Sequence, residues 1–134
     1  MTFQVGRYYE RRQLHRTYGG QERGGISTPA KHPLLFLFTG QPGEPFGYKD
    51  WWDDDGVFHY YGEGQRGDME FRVGNKAIRD HAGNSKELHV FKMKRHDPLV
   101  CYLGQMLCVG YDIVQAPDVE GHNRKAIVFR LRPA

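Results

Sequence analysis

The residues best suited to chemistry lie in one short stretch, "GYKDWWDDDGVFHYYGEGQ", from Gly47 to Gln65. It contains two Trp, three Tyr, one Phe and four Asp within nineteen positions. This composition is compatible with three arrangements: an acidic turn that leads into a core strand, a metal site, or a pocket in which aromatic rings hold a flat polar ligand. The three arrangements differ in the spacing of residues along the chain that each requires.

The spacing does not favour a metal or a catalytic site. Asp53, Asp54 and Asp55 are consecutive, and consecutive side chains do not all point the same way. Neither the spacing of a calcium-binding loop nor a zinc motif is present. The chain has only two serines, no G-x-S-x-G, and seven histidines at no recognisable spacing. We therefore predict no catalytic residue, no metal and no cofactor, and interpret the Asp triplet as an acidic turn before a strand at Val57.

Tyr48 and Tyr60 are the candidates for holding a flat ligand. They are twelve positions apart, one before a predicted strand and one inside it. A loop that folds back would let the two rings face each other, and each base stacked on an aromatic ring contributes roughly 1–3 kcal/mol. A nearby carboxylate would accept a hydrogen bond from an exocyclic amine such as that of cytosine. The alternative is that both tyrosines are core residues, and the residues alone leave both interpretations open.

The elements that must position these residues are short strands. One domain over residues 1–134 is expected, because the length suits a single core and 39% of the residues are hydrophobic. The pattern predicts one helix around Gly67–Ala82, with Asp68 as N-cap and Gly83 at its end. The predicted fold is mainly β with peripheral helices (α+β), curved and barrel-like. Strands are predicted at Val5–Glu10, Pro33–Thr39, Val57–Tyr61, Leu88–Lys94, Leu99–Gly104, Met106–Val114 and Lys125–Arg132.

Charge is distributed unevenly along the chain. Residues 1–31 carry six Lys or Arg against two Asp or Glu, residues 41–70 carry two against eight, and residues 71–100 carry seven against three. This layout favours a basic surface around an acidic aromatic site, although ordinary patches on a mixed surface remain an alternative. The longest apolar run, Leu34–Phe38, cannot span a membrane, and the first twelve residues lack the apolar stretch that is typical of a signal peptide. We expect a cytoplasmic, nucleoid-associated protein.

The segment from Arg11 to Pro29 is the longest stretch without a strand pattern. Its four Gly and four Arg would allow close approach to phosphate groups. The alternative is a flexible, solvated loop. The candidate DNA-backbone contacts in this segment are Arg11, Arg12, Arg16, Gln21, Arg23 and Ser27.

The sequence resembles the SRA (SET and RING associated) domain family. The opening stretch resembles its aromatic and acidic signature, and "GGISTPAKHPLLFLFTG" before it and "GDMEFRVGNKAIRDH" after it resemble neighbouring blocks in the same order. The last block, "GYDIVQAPDVEGHNRKAIVFRLRPA", resembles the closing strands. The chain is most similar to bacterial SRA-like modules joined to HNH nucleases in modification-dependent restriction.

This resemblance implies a PUA-like β-barrel that binds duplex DNA and flips a modified cytosine into a pocket. Tyr48 and Tyr60 would sandwich the base, and Gly62 and Glu63 would lie beside its 5-methyl group. A gapless alignment puts the family's second Asp on Trp51, so assigning the cytosine edge to Asp50 implies a local shift. Trp51 would then line the pocket or the DNA surface.

The loop "EGQRGDM" is shorter than the family's loop that fills the space vacated by the base. Gln65, Arg66 or the loop at His15–Arg23 would have to fill it instead. Burying one methyl group contributes about 0.8 kcal/mol, roughly fourfold in affinity, so we expect modest discrimination of 5-methylcytosine, with 5-hydroxymethylcytosine tolerated if Glu63 leaves room.

Two alternatives to a non-catalytic reader remain at this stage. One is a metal-dependent nuclease using the Asp triplet and His59, and the other is a PUA-like RNA-binding module. For a reader, the nuclease is expected on a separate domain or partner of the HNH kind.

Overall fold

The computed structural model describes residues 3–40, 50–94 and 96–134, and they form a mainly β fold with two peripheral helices. This confirms the predicted fold class. The helices are α1 (Arg11–Tyr18) and α2 (Val73–Asp80). The strands are β1 (Tyr8–Glu10), β2 (Ile26–Ser27), β3 (Leu34–Thr39), β4 (Trp51–Trp52), β5 (Phe58–Tyr61), β6 (Glu87–Met93), β7 (Leu99–Pro117) and β8 (Asn123–Pro133).

The strands of the described residues belong to one eight-stranded sheet that curls back on itself. Its order is β2-β3-β6-β7-β8-β5-β4, with β1 paired to β7. Among the pairings of the described strands, only that of β3 with β6 is parallel. Although β3 and β5 lie near opposite ends of this order, the Tyr60 hydroxyl on β5 is 3.0 Å from the Phe38 carbonyl oxygen on β3. The two ends of the open sheet therefore meet along a seam.

Two apolar cores form on opposite faces of β3 and β6. Along "LLFLF", Leu35 and Leu37 belong to one cluster, whereas Phe36 and Phe38 belong to the other. All five residues of this run are buried, since both faces of the strand are covered. The other strand of the parallel pair, β6, is covered on both faces too, and its pairing with β7 shifts register between Val90 and Phe91.

The predicted helix at Gly67–Ala82 is too long. Helix α2 begins at Val73 after the N-cap residue Arg72 and ends at Asp80. Asp68 does not cap it, because its Oδ1 accepts a hydrogen bond from the Lys125 amide at 2.7 Å. The segment before the helix is thereby held against β8, and it forms bends instead of helical turns.

Two further boundary predictions are wrong. The segment from Arg11 to Pro29 is not one irregular loop, since it contains α1 and β2. The strands predicted at Leu99–Gly104 and Met106–Val114 are the single strand β7. Gly104 does not interrupt it, because a register shift against β6 accommodates this residue at φ +132°.

Over the described ranges, no helix is long and apolar enough to cross a membrane.

Candidate functional site

A pocket of about 700 Å³ lies at the seam of the sheet, within the size range of small-ligand sites. Part of its wall is apolar, from Ile26, Phe38, Tyr60 and Met69. Apart from Val73, the remaining lining is polar or glycine-rich, from Gly24, Gly25, Asp50, Tyr61, Gly62, Glu63, Gly64, Gln65, Arg66, Asp68, Glu70, Arg72 and Asn75. The pocket thus combines a hydrophobic aromatic surface with several hydrogen-bond acceptors.

Tyr60 is both a core residue and a pocket residue. It is 3% exposed, and its hydroxyl donates toward the carbonyl oxygens of Gly25 at 2.8 Å and Phe38 at 3.0 Å. Burial raises the pKa of this phenol well above its usual value, so it remains a neutral donor. The two interpretations left open for Tyr60 are therefore compatible. Its predicted partner Tyr48 lies outside the described residues.

Donors from β3 and β5 fix Asp50 in the pocket. The Thr39 hydroxyl donates to its Oδ2 at 2.6 Å, and the Tyr61 amide donates to its Oδ1 at 2.8 Å. These contacts join the residue that ends β3 to the residue that ends β5, across the seam. The carboxylate is therefore held in one orientation on the pocket wall.

Trp51 lies elsewhere. Its side chain is 49% exposed and stacks on the His59 ring with centroids 4.2 Å apart and planes 7° apart. It does not line the pocket. Of the two residues considered for the cytosine edge, the structure brings Asp50 to the pocket and leaves Trp51 on the outside of the β4–β5 hairpin.

Asn75 clamps the backbone on the far side of the pocket, a role that sequence reasoning missed. Its Oδ1 accepts from the Glu63 amide at 2.8 Å, while its Nδ2 donates to the carbonyl oxygens of Glu63 at 2.8 Å and Glu70 at 2.9 Å. Asn75 is 1% exposed. Gly62 must stay small here, because a Cβ on it would lie 2.7 Å from Asn75 Oδ1. The sequence feature that could have indicated this clamp is the Asn in "GNKAI", within the helical block that resembles the SRA family.

Glu63 projects a carboxylate along the same wall. Its Oε1 accepts a hydrogen bond from the Gly74 amide at 3.1 Å. Desolvation by partial burial raises the pKa of this carboxyl, and the Gly74 hydrogen bond opposes the shift. Asn75 fixes the Glu63 backbone at its amide and its carbonyl, so the position of the Glu63 Cα in the pocket wall is defined.

Arg11 differs from the other arginines predicted to contact DNA. Its Nη2 donates to the Gly24 carbonyl oxygen at 2.9 Å, its Nε lies 3.1 Å from His15 Nε2, and its guanidinium lies 3.8 Å from the Phe38 ring centroid. Burial is the main cause that lowers the pKa of this guanidinium. Arg11 therefore fastens the loop of residues 19–25 between α1 and β2, the glycine-rich loop, to α1 and to the pocket wall.

The remaining residues of the predicted DNA-contact set fall into two groups. Arg12, Arg16 and Arg23 are exposed. Gln21 is exposed as well and holds the glycine-rich loop through its 2.7 Å contact to the Thr28 amide. Ser27 is fully buried, so the structure does not bring its hydroxyl to the surface.

Two of the three candidates for filling the space that a flipped base would leave are at the pocket rim. Gln65 and Arg66 are exposed and line the pocket. The Arg66 guanidinium pairs with Glu120 at 2.9 Å, with both side chains largely solvent-exposed. An exposed pair of this kind is weak, so a phosphate or a base can replace Glu120 at small cost.

The Asp triplet forms a turn, as predicted. Asp53 Oδ1 accepts from the amides of Asp55 at 2.9 Å and Val57 at 3.0 Å, and its Oδ2 lies 2.8 Å from His59 Nε2. Hydrogen bonding to His59 is the main cause that lowers the pKa of Asp53. No group of three His, Cys, Asp or Glu among the described residues has the geometry to hold a metal ion.

Comparison with known families and structures gives consistent results over nearly the whole chain. Residues 5–134 match the family described as ScoMcrA-like, SRA domain. No curated protein sequence shows significant similarity to the chain.

Solved structures show the same fold. The complex of the sulfur binding domain and SRA domain of ScoMcrA with phosphorothioated DNA matches with a TM-score of 0.77 and 21% identity, over 99% of this chain and 40% of that chain. The Type IV phosphorothioation-dependent restriction endonuclease ScoMcrA matches with a TM-score of 0.75 and 21% identity, over 99% and 28%. The complex of the SUVH5 SRA domain with hemimethylated CG DNA matches with a TM-score of 0.69 and 19% identity, over 100% and 90%. The chain thus spans less than half the length of the ScoMcrA chains it matches.

Proposed function

Because the chain belongs to the ScoMcrA-like SRA-domain family, we propose that it is a reader of modified cytosine in double-stranded DNA. In this proposal the modified base, 5-methylcytosine or 5-hydroxymethylcytosine, leaves the duplex and enters the pocket at the seam. The observation that carries the proposal is that the Tyr60 ring and the Asp50 carboxylate line one pocket, where hydrogen bonds to β3 and to the Tyr61 amide hold them. Two structural neighbours support it, since the SRA domain of ScoMcrA and that of SUVH5 are each in complex with modified DNA, phosphorothioated and hemimethylated respectively.

The two residues have complementary tasks in the proposed complex. The Tyr60 ring supplies one stacking surface, and Tyr48 is proposed to supply the other. The Asp50 carboxylate, oriented by Thr39 and the Tyr61 amide, accepts a hydrogen bond from the exocyclic amine of cytosine. Extrusion of a base costs a few kcal/mol, and stacking together with phosphate contacts offsets this cost.

The exposed arginines are proposed to contact the DNA backbone. Arg12, Arg16 and Arg23 project from α1 and the glycine-rich loop, whereas Arg11 holds that loop to the pocket wall. Phosphate contacts release counterions, so affinity should fall steeply as salt increases. Trp51 on the exposed β4 edge is proposed to lie against the DNA surface rather than the flipped base.

We propose no cleavage activity for this chain by itself. In modification-dependent restriction the nuclease would be supplied by a separate domain or partner, of the HNH kind that the sequence resemblance implies. The ScoMcrA endonuclease, of which this chain matches 28%, fits such a division of labour between a reader and further domains.

Base extrusion can be tested with duplexes that carry the fluorescent base 2-aminopurine next to a single 5-methylcytosine. The expected result is a rise in 2-aminopurine fluorescence when the protein binds, because its stacking neighbour leaves the duplex. Asp50→Asn should weaken this response by about tenfold in affinity, since a hydrogen bond to a charged group contributes about 1.5–3 kcal/mol.

Asp54→Asn is the matched control, because Asp54 is exposed in the hairpin turn and should respond like the wild type. Binding of the methylated duplex without any change in fluorescence would contradict base extrusion. An identical response from Asp50→Asn and Asp54→Asn would contradict the role of Asp50.

A further inference from the structure

Building on the proposed function, we propose that the β7–β8 turn, residues 118–122, forms part of the DNA-facing surface at the pocket rim. Glu120 on this turn competes with the DNA backbone for the Arg66 guanidinium. Glu120 thereby sets how tightly the chain holds any duplex, and it leaves the preference for a modified base unchanged.

Hydrogen bonds within the β7–β8 turn fix its conformation. Asp118 is 3% exposed, and its Oδ1 accepts from the amides of Glu120 at 2.9 Å and His122 at 3.0 Å. The Asp118 amide donates to the His122 carbonyl oxygen at 2.8 Å, and Gly121 adopts φ +81°, which glycine tolerates without strain. The backbone that carries the Glu120 side chain is therefore held in one place.

The turn is also docked against the loop that carries Arg66. The Val119 amide donates to the Gln65 carbonyl oxygen at 2.9 Å, and the Gly67 amide donates to Asp118 Oδ2 at 3.1 Å. These contacts hold the residues immediately before and after Arg66, so the turn and this loop form one continuous surface. Since Gln65 and Arg66 line the pocket, that surface borders the pocket.

The ion pair between Arg66 and Glu120 leaves most of the guanidinium available. Glu120 Oε1 lies 2.9 Å from Arg66 Nε, and neither terminal nitrogen of Arg66 donates a hydrogen bond within the described part of the chain. The Arg66 side chain is 75% exposed and the Glu120 side chain 48% exposed, so water competes with the pair. A phosphate can therefore engage the terminal nitrogens first and displace Glu120 from Nε afterwards.

A DNA phosphate is the better ligand for this guanidinium. Arginine and phosphate form bidentate, charge-assisted hydrogen bonds, and neutralising phosphates also releases counterions from the DNA. The displaced Glu120 carboxylate stays near the DNA backbone, because its turn is docked to the rim, and the like charges repel each other. Glu120 therefore weakens binding by occupying Arg66 and by adding negative charge beside the DNA. Both effects act on the backbone, so they change the affinity of unmodified and modified duplexes alike.

The test is a double-mutant cycle of Arg66→Gln and Glu120→Gln, with titrations at fixed salt of duplexes that carry cytosine or 5-methylcytosine at one position. Glu120→Gln should tighten binding of both duplexes about threefold, in line with the weakness of exposed ion pairs. In the Arg66→Gln background the same change should have a smaller effect, because the guanidinium to be released is absent. Asp80→Asn is the matched control and should leave the affinity unchanged, since it removes the same charge from a pair with Arg79, 2.8 Å long, outside the pocket.

The outcomes separate this inference from the proposed function. Equal affinity for the two duplexes, with both bound more tightly by Glu120→Gln, would overturn the proposed function alone. A preference for 5-methylcytosine, with affinities unchanged in Glu120→Gln, would overturn only the role of Glu120. An equal gain from Glu120→Gln in both backgrounds would show that the carboxylate acts through its charge alone, and would overturn its competition for Arg66. Thermal melts establish that each variant is folded.

Discussion

Tyr60 shows how one residue can serve the fold and the candidate site together. From the sequence, a core tyrosine and a base-stacking tyrosine were both possible. The structure places its ring in the pocket wall while its hydroxyl joins the two ends of the sheet. Tyr60→Ala is therefore an ambiguous test of base binding, since truncating a buried aromatic residue costs about 3–5 kcal/mol of folding free energy.

Tyr60→Phe is a more informative change. We expect it to lower the free energy of unfolding by about 1–2 kcal/mol, because the buried carbonyl oxygens of Gly25 and Phe38 lose this donor. Urea denaturation of the variant and the wild type measures the difference. Equal unfolding midpoints would show that the hydroxyl does not stabilise the seam.

Asn75 provides a second prediction for a single residue. Asn75→Ala removes three hydrogen bonds to the backbone of Glu63 and Glu70, so the free energy of unfolding should fall by about 2–4 kcal/mol. Lys76→Ala, on the neighbouring exposed residue, is the control and should change it by less than about 0.5 kcal/mol. Similar melting temperatures for the two variants would contradict the clamp.

Among the elements, the longer strands were easier to predict from sequence than the short ones and the helices. The apolar run of β3 and the broken alternation of β6 reflect burial on both faces, and alternation in "KAIVFRLR" indicated β8. Helix α1 was missed because its eight residues are mostly polar, and its docking depends on Leu14 packing into the second core cluster. The start of α2 was misplaced because Asp68 bonds to β8 instead of capping the helix.

Substitution of the adjacent residues Arg11 and Arg12 in α1 should have different effects on stability and on DNA binding. Arg12→Ala should leave stability near that of the wild type and reduce the slope of log affinity against log salt by about one, as expected for the loss of one phosphate contact. Arg11→Ala should instead lower the melting temperature, because its guanidinium holds Gly24 and covers the Phe38 ring. DNA titrations at several salt concentrations measure the salt slope of each variant, and thermal melts measure its stability. A normal melt for Arg11→Ala would contradict its anchoring role.

At the scale of the whole molecule, the pocket exists because the sheet closes on itself. Tyr60 and Gly25 are 35 positions apart, and Asp50 reaches Thr39 over 11 positions. Spacing along the chain does not reveal such contacts, because the curvature of the full sheet creates them. The family resemblance supplied the order of the blocks and narrowed the residue at the cytosine edge to Asp50 or Trp51, and the structure brings Asp50 to the pocket. It did not reveal the Asn75 clamp or the anchoring role of Arg11.

The buried His89 predicts how stability responds to mild acid. Burial is the main cause that lowers its pKa in the folded protein, while Glu87 opposes the shift. The unfolded chain therefore binds a proton near pH 6.5, where the folded chain does not. Stability should decrease as the pH falls below that value toward the lower folded pKa. The raised pKa of Glu63 acts in the opposite direction as the pH falls through its own folded value.

Urea midpoints between pH 7.5 and 5.5 test this pH dependence. His89→Gln should flatten the decline whatever its effect on absolute stability, whereas His122→Gln, on an exposed side chain, should keep the wild-type slope. A decline of equal steepness in wild type and His89→Gln would show that another group is responsible.

Recognition of modified cytosine by this chain is tested most directly by a salt-controlled binding titration. Fluorescence anisotropy should be measured with identical duplexes that carry cytosine, 5-methylcytosine or 5-hydroxymethylcytosine at one position. We predict that both modified duplexes bind more tightly than the unmodified one, by about fourfold for the methyl group, while affinity for all three falls steeply with salt. Equal affinity for the three duplexes at every salt concentration would contradict the claim.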